Sequence, residues 1–572
     1  MLCTMIAGAQ EASLAVVHAR VWTGNAARPW AEALAASGDT IMAVGDAASI
    51  RKLIGPSTRV LDAHGGMVAP GFIDSHLHFL EGGLNLDSVQ LRDARSKEEF
   101  VTRIKAFAAT VPPGTWITGG DWDHQNWGGE LPRKEWIDAA TPQNPVWINR
   151  VDGHMSLANS PALAAAKVDK NTPEVAGGAI VRAASGEPTG ILKDNAKSLV
   201  DRAVPAPSPE TMDRALDAAM KYVAARGVTS VVHMGTWDDL AVFRRARKAG
   251  RLRTRIRAAV PLATWERLAQ TVANDGRGDD WLSIGCLKAF VDGSLGSHTA
   301  AFLEPFTDAP QDAGLLVNTP EDLYRWTSGA TRAGLQVMVH AIGDRAIRLQ
   351  LDVFDRVRKE QHPPDARFRI EHAQHIAPAD LARFAAIGVI ASMQPYHAID
   401  DGRWADEVIG LERAKTTYAF RSLLDAHARL AFGSDWDVAP PAPLEGIYAA
   451  DAPHAGRQES RRLGARAEDH HGRSASCLHV GRSLRGVCGE AEGNVGSRKT
   501  GGFRAVGSRF DAHSGAGNPA SAGAGDGGRR GDRIRRRTVG VCTRSSESGS
   551  SRLKPGAYFI RWWAWSSKPL SG

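Results

Sequence analysis

Short apolar runs alternate with amphipathic, helix-like stretches from about residue 70 to about residue 450, and this alternation constrains the fold most. Nearly continuous apolar runs suit strands buried on both faces, and alternation of strands with helices predicts a parallel sheet. Eight such units predict an α/β fold, a (β/α)8 barrel of the TIM type. The predicted strands span residues 71–78, 228–235, 253–262, 284–293, 335–344, 367–375, 388–397 and 429–437.

Two further segments accompany this predicted barrel, which occupies residues 69–450. Residues 1–68 contain short alternating runs separated by Gly, Asp and Asn, a pattern typical of a small β-rich module. The interval from about 80 to 225, between the first two strands, is too long for a loop. The sequence therefore predicts a small N-terminal β-rich module and a domain inserted into the barrel.

The sequence changes character after about residue 450. Residues 451–572 carry 22 Lys and Arg against ten Asp and Glu, whereas residues 1–450 carry 48 against 53. The segment is rich in Gly, Arg, Ser and Ala without periodicity, so it cannot bury enough apolar surface to offset its chain entropy. Three interpretations compete: a disordered basic tail, an Arg/Gly-rich RNA-binding tail and, favoured here, a reading-frame shift near residue 450.

Composition and targeting signals narrow the classes of function. No apolar run reaches the roughly 18 residues of a membrane span, and the first residues lack the positive region of a signal peptide. Five scattered cysteines do not form a disulfide framework. We therefore expect a cytoplasmic protein without a membrane partner. Because the basic excess belongs to the tail alone, we expect no nucleic-acid partner either.

The stretch APGFIDSHLHF, residues 69–79, ends the first predicted strand with His76 and His78. At the period of a strand both side chains point to the same side, and at the mouth of a barrel that side faces the active site. Two imidazoles about 7 Å apart along a strand can grip one divalent metal. A pair of this kind is weak on its own, since most such pairs are incidental.

Other predicted strands end in residues that suit the same site. His340 ends strand 5, His372 ends strand 6, Asp435 ends strand 8, and Lys288 is a cation among the apolar residues of strand 4. Because the carboxyl ends of barrel strands meet at one mouth, we expect these side chains to converge with the two histidines of strand 1. The alternative, unrelated polar strand ends that are each satisfied locally, suits any one of them better than all of them.

These residues lie in motifs that resemble the amidohydrolase superfamily, in particular its YtcJ-like branch. That branch is also called amidohydrolase family 3 and includes N-substituted formamide deformylase. The resemblance spans roughly residues 13–450, and this chain departs from the family in two places. The family has a C-terminal segment that completes a small N-terminal β-sandwich, and this chain lacks the corresponding motif. The second departure is SVVHMG, with His233, where a related pattern reads SVHDMG. The motifs are PGFIDSHLH, GEPTGILKDNA, KAFVDGSLGSHTA, HAIGDRAI, RIEHAQH and GSDWDVAPPAPLEGIYAA.

The resemblance implies a metal-dependent hydrolase with one or two divalent metals per chain. His76, His78 and Asp435 are expected to hold the more buried metal, and His340 and His372 a second one. Zinc suits imidazole and carboxylate ligands best.

Lys288 is expected to contribute to catalysis and to bridge two metals, once carbon dioxide has converted its amine to a carbamate. In the alternative, Lys288 pairs with Asp292 or another acid and the site holds one metal. Asp435 is the expected carrier of the proton from water to the leaving nitrogen.

Other residues are expected to support the site. Asp344 and Glu371 are candidates for orienting the metal ligands. Trp122 and Trp127 either line an apolar pocket or form the core of the insertion. The candidate substrate-binding residues are His154, Lys193, Gln394, His397 and Trp436.

The predicted reaction is hydrolysis of a carbon–nitrogen bond other than a peptide bond. A metal-activated water attacks an amide or formamide carbonyl and gives a carboxylate and an amine. The runner-up is another hydrolysed bond, such as an ester or a carbon–carbon bond. An inactive, metal-binding relic with an altered C-terminus is the alternative from another class. The expected partners are a small-molecule amide and a second copy of the chain in a homodimer.

Overall fold

The computed structural model describes residues 11–451 and the backbone of residues 539–541. These residues divide into two units, one with residues 11–73, 226–229 and 539–541, and one with residues 74–225 and 230–451. The tail predicted from residue 451 onward lies outside the described residues, apart from Asp451 and the short strand at 539–541. Its three interpretations therefore stay predictions.

All eight predicted barrel strands are present in one sheet, which follows chain order from strand 1 to strand 8. Neighbours from strand 2 to strand 8 pair in parallel. Strand 5 is buried along its whole length, as a strand covered on both faces requires. The predicted fold class is confirmed. The strands are Phe72–Leu77, Val228–Met234, Arg255–Pro261, Leu282–Phe290, Gln336–Ala341, Arg369–His372, Ile390–Met393 and Arg429–Phe432.

Helices alternate with these strands, and side chains mark where several of them begin. The N-terminal caps Ser208, Thr236 and Thr319 each accept a hydrogen bond from an amide of the first turn. The barrel helices and their associated short helices are Phe79–Asn85, Pro209–Ala224, Trp237–Lys248, Leu262–Thr264, Trp265–Asp275, Pro320–Arg332, Asp344–Gln361, Pro378–Asp380, Leu381–Ile387, His397–Asp401, Ala405–Ile409, Leu411–Ala414, Phe420–Asp425 and Pro443–Asp451.

The insertion between strands 1 and 2 forms a six-stranded sheet of its own. Trp122 is fully buried in the apolar core on this sheet, and Trp127 packs against the same core, so the core interpretation applies to both. The strands are Val89–Gln90, Ile117–Trp122, Val146–Arg150, Met155–Ala158, Gly178–Arg182 and Pro188–Asp194. The helices are Lys97–Ala108, His124–Trp127, Lys134–Ile137, Asp138–Ala140, Ser160–Ala166, Asn195–Lys197 and Ser198–Asp201.

The N-terminal module contains two four-stranded sheets and the helix Ala47–Arg51. The first predicted run, from residue 13, is split into two strands at His18, which has a φ of 48°. One sheet contains Leu14–Val17, Ala33–Ser37, Thr40–Gly45 and Arg59–Asp62; the other contains Arg20–Trp22, Trp30–Ala31, Met67–Pro70 and Val539–Val541. The last strand pairs antiparallel with Met67–Pro70.

None of the helices in residues 11–451 combines the length and the apolar character that crossing a membrane requires.

Candidate active site

The mouth of the barrel carries His76 and His78 at the end of strand 1. His76 is completely buried, and its Nε2 lies 3.2 Å from Oδ1 of Asp435. The Nε2 of His78 lies 3.4 Å from the same oxygen, and this side chain is 26% exposed. Both imidazoles thus face one carboxylate, and the three side chains bring their ligand atoms within 4.8 Å of one another.

Asp74 holds the turn that delivers Asp435 to this pair. Its Oδ1 accepts hydrogen bonds from the amides of His76 and Ser434 at 3.2 and 3.0 Å, and its Oδ2 accepts the Ser434 hydroxyl at 2.5 Å. Asp435 has a φ of 60°, in the left-handed region that costs energy for a residue with a Cβ. The hydrogen bonds of Asp74 fix the neighbouring backbone and so maintain this conformation.

Glu371 and Arg369 orient His76 from inside the barrel. Oε2 of Glu371 lies 2.6 Å from Nδ1 of His76, and Arg369 donates to both carboxylate oxygens at 2.7 and 2.9 Å. Burial alone would raise the pKa of Glu371, but the Arg369 charge and the hydrogen bond from His76 lower it to about 2. The ionised carboxylate accepts a hydrogen bond from Nδ1–H of His76, so the ring proton stays on Nδ1 and the lone pair of Nε2 faces the site.

A second pair of imidazoles lies near Oδ2, the other carboxylate oxygen of Asp435. Nδ1 of His372 and Nε2 of His397 are each 3.9 Å from Oδ2 of Asp435, and the two imidazole rings stack at 6.4 Å. Both nitrogens are buried and form no hydrogen bond among the described residues. Burial lowers the pKa of each imidazole, which favours the neutral form that binds metals. His397, predicted to bind substrate, thus stands beside His372 in a possible ligand set.

His340, predicted to hold a second metal with His372, has its ring 4.4 Å from the ring of His372. Nε2 of His340 lies 2.9 Å from the carbonyl oxygen of Gly293. Because a carbonyl only accepts, this nitrogen carries the proton, and Nδ1 is the nitrogen left for a metal. Neither set of ligand atoms within 4.8 Å includes His340.

Lys288 is buried beside the ligand pair. Its Nζ lies 3.4 Å from Nε2 of His76 and 4.7 Å from the centre of the Phe290 ring. Burial lowers the pKa of this amine to about 8, although the charges of Glu371 and Asp435 oppose the change. The lowered pKa increases the neutral amine that reaction with carbon dioxide would need.

Asp292, the alternative partner of Lys288, is occupied elsewhere. Its carboxylate accepts the amides of Ala301, Ile342 and Gly343 at 2.8, 3.0 and 2.9 Å. Lys288 forms no ion pair with any carboxylate in the part of the chain that the structure describes. N-carboxylation of Lys288 stays a prediction.

The insertion places His154 and Lys193 near this mouth in different ways. Nδ1 of His154 lies 2.6 Å from Asp194, and its ring lies 4.9 Å from the ring of His340. Lys193 donates from Nζ to the carbonyl of Ser297, in the loop after strand 4, at 2.7 Å. His154 is therefore adjacent to a candidate ligand, whereas the lysine holds a loop.

The remaining candidates differ in their surroundings. The buried Oε1 of Gln394 has no hydrogen-bond partner among the described residues. Trp436 stacks on Tyr222 at 5.0 Å, which engages the indole ring. Asp344, predicted to orient a ligand, accepts the amide of Leu303 at 2.7 Å.

The donor set fits a divalent metal of the zinc type. Three of the unpartnered buried atoms are Nδ1 of His372, Nε2 of His397 and Oδ1 of Asp435, and such nitrogens and oxygens are ordinary zinc ligands. Buried polar atoms without partners are rare in folded proteins, and a metal would satisfy several of these together.

Two residues that position the candidate ligands were not predicted from the sequence. Arg369 was overlooked, although its position two residues before Glu371 puts both on one face of strand 6. Asp74 was overlooked as well, although its place two residues before His76 gives the same signal. No local signal indicated that His397 faces Asp435, because it begins the short helix His397–Asp401 after strand 7.

Comparisons with known proteins agree with this fold. The model of the amidohydrolase family matches residues 59–475. Protein LONG AFTER FAR-RED 3 of Arabidopsis thaliana is 42% identical over 452 residues, which cover 77% of this chain and 78% of that protein. YtcJ of Bacillus subtilis (strain 168) is 32% identical over 406 residues, covering 69% of this chain and 75% of YtcJ. N-substituted formamide deformylase of Arthrobacter pascens is 28% identical over 467 residues, covering 77% and 84%.

A solved structure extends the similarity to three dimensions. An uncharacterized metal-dependent hydrolase from Pyrococcus horikoshii OT3 superimposes with a TM-score of 0.64 at 28% identity, covering 84% of this chain and 93% of that one. The family match covers well over half of the chain, in the region that contains every candidate ligand. This chain therefore belongs to the amidohydrolase family.

Proposed function

We propose that this chain hydrolyses the carbon–nitrogen bond of a non-peptide amide or formamide and releases a carboxylate and an amine. Family membership and the similarity to a metal-dependent hydrolase support the coarser function, metal-dependent hydrolysis. The similarity to N-substituted formamide deformylase supports the choice of bond, whereas the name of the Arabidopsis relative states no reaction.

The observation that carries the proposal is the convergence of four imidazoles on Asp435. His76 and His78 face one of its oxygens, and His372 and His397 face the other. We assign the more buried metal to the first pair with Asp435 and propose zinc. The second metal would take His372 with His340 or His397. A bound zinc would supply a water of lowered pKa and polarise the substrate carbonyl.

Asp435 is the proposed proton carrier. Its buried carboxylate lies beside the imidazoles of His76 and His78 on one oxygen and beside those of His372 and His397 on the other. The carboxylate would therefore stand next to a water held at this site and accept a proton from it. The same carboxyl group then donates that proton to the leaving nitrogen.

A carbamate on Lys288 would turn a buried cation into an anion that bridges two metals. The burial of Lys288, its pKa of about 8 and its lack of an ion pair in residues 11–451 support this part of the proposal. With an unmodified lysine, we expect one metal per chain. A cytoplasmic location and a homodimer stay predictions from the sequence.

The experiment is a metal analysis followed by a substrate panel. The purified full chain is offered zinc, gel-filtered and analysed for metal, then assayed against N-formyl amines, N-acyl amines and esters. We expect one or two zinc ions per chain and faster turnover of the amides and formamides. Faster turnover of esters would contradict the proposed bond, and a folded chain that retains no metal would contradict metal-dependent hydrolysis. A chain that binds zinc but hydrolyses none of these compounds would support the inactive, metal-binding relic.

The control is Asp435→Ala, purified in parallel. If its activity equalled that of the parent, the measured hydrolysis would come from a contaminant.

A further inference from the structure

His78 occupies an unusual place for a candidate metal ligand, because it is also the residue at which a helix begins. Helix Phe79–Asn85 starts directly after it, and His78 stands at the N-cap position. Side chains at this position usually accept a hydrogen bond from an amide of the first turn. The side chain of His78 makes no such bond, since it points to Asp435.

The amide of Phe79 has no intrahelical partner, as is general for the first amides of a helix. The structure gives it an acceptor from another strand. The amide lies 3.0 Å from Nδ1 of His233, which is 2% exposed on barrel strand 2. An amide only donates, so Nδ1 of His233 is the acceptor in this bond and the ring proton lies on Nε2.

The other nitrogen of this ring is also engaged. Nε2 of His233 lies 3.3 Å from Oδ2 of Asp239, which also accepts the amide and the hydroxyl of Thr236 at 2.8 and 2.9 Å. The ring packs edge-on against Phe243, with centroids 4.9 Å apart at 89°. His233 is thus held by hydrogen-bond partners at both nitrogens and by the ring of Phe243, which fixes the direction of Nδ1.

Main-chain hydrogen bonds hold the rest of the peptide around His78. Its amide donates to the carbonyl of Trp436, and its own carbonyl accepts the amide of Gly82 at 2.8 Å. Of the three hydrogen bonds described here, only the one from Phe79 to His233 ends on a side chain. It is therefore the one that a substitution can remove.

We infer that His233 is a positioning residue that holds His78 in its metal-binding orientation through the amide of Phe79. The inference rests on the metal site of the proposed function. It assigns separate supports to the two histidines of strand 1, because Glu371 orients the ring of His76 and His233 fixes the backbone of His78. It also gives a role to the residue at which SVVHMG departs from the related pattern.

The test compares three variants of the full chain. His233→Ala removes the acceptor, whereas His233→Asn keeps an acceptor, because the amide oxygen of Asn stands at the same bond separation as Nδ1. Ser208→Ala is the matched control, because it removes the acceptor at the start of helix Pro209–Ala224 and touches no candidate ligand.

Two readouts distinguish positioning from a purely structural role. Zinc affinity is measured by competition with a chelator, and the visible absorption of the cobalt-substituted protein reports coordination geometry. We expect His233→Ala to weaken zinc binding by about 10- to 100-fold, the usual effect of losing a residue that orients a ligand. We expect its cobalt spectrum to change, His233→Asn to recover most of the affinity, and Ser208→Ala to bind as the parent does.

Parent-like affinity and an unchanged cobalt spectrum in His233→Ala would overturn the inference. A loss in His233→Asn as large as that in His233→Ala would overturn it too, because the retained acceptor would then not matter. A parent chain that binds no zinc would overturn the proposed function first and this inference with it.

Discussion

Replacing Glu371 by glutamine removes one charge from a fully buried group and changes almost nothing in size. The carboxylate of Glu371 is enclosed by Nδ1 of His76 and by two donors of Arg369. Arg369 is itself fully buried and also donates to the carbonyl of Ser75 and to the hydroxyl of Ser392. In Glu371→Gln the guanidinium stays charged and buried but loses its counter-ion.

Two independent estimates give the size of the effect. The pKa of Glu371 falls from 4.5 to about 2 in the folded chain. At about 1.4 kcal/mol per pKa unit, this corresponds to about 3 kcal/mol of stabilisation at neutral pH. Removing one partner of a buried ion pair typically costs about 3–5 kcal/mol. We therefore expect Glu371→Gln to lower the free energy of unfolding by about 3 kcal/mol.

The assay is urea unfolding of the metal-free chain at pH 7, followed by circular dichroism, for the parent and two variants. The second variant combines Arg369→Met with Glu371→Gln, so that neither member of this buried charge pair is left without the other. We expect it to be more stable than Glu371→Gln alone. A cost below about 1 kcal/mol for Glu371→Gln, or a double variant that is less stable than the single one, would refute the reasoning from the buried charge pair.

Three further predictions follow from the same geometry. The lowered pKa of Glu371 stabilises the fold above pH 4.5, and this stabilisation is lost as the pH falls toward 2. The difference in unfolding free energy between the metal-free parent and Glu371→Gln should therefore shrink over that range, and a constant difference would contradict the lowered pKa. Asp435→Asn should lower the rate on an N-formyl amine by at least about 100-fold, measured as amine release, because the amide cannot accept the proton of water. Lys288→Met, loaded beside the parent in bicarbonate buffer, should bind one zinc ion fewer per chain by elemental analysis; equal contents would exclude a bridging carbamate.

The barrel could be predicted because most of its strands are largely buried and read as apolar runs, such as Gln336–Ala341 and Ile390–Met393. The predicted bounds are longer than the strands, as with residues 388–397 against Ile390–Met393, because the sequence does not mark the residue at which hydrogen-bonded pairing ends. The break at His18 in the N-terminal module was not predicted, since its positive φ has no marker in an otherwise alternating run.

Only the residues of the candidate site that lie at or just after the ends of barrel strands could be predicted from the sequence. His76, His78, His372 and Asp435 converge because strand ends do. His397 follows strand 7 in a short helix whose path depends on tertiary packing. The contact of His233 with a main-chain amide likewise depends on how two strands lie side by side, which no spacing along the chain encodes.

The barrel closes where the candidate metal ligands meet. Strand 1 and the turn after strand 8 join through the hydrogen bond from the amide of Asp435 to the carbonyl of His76, at 2.7 Å. A growing chain therefore contains no complete ligand set until residue 435 has been synthesised and the last strand has docked onto the first. Contacts between such distant segments form slowly and late in folding. Tight zinc binding by this chain would then indicate a completely folded barrel, and nascent chains that end before residue 435 would not bind the ion tightly.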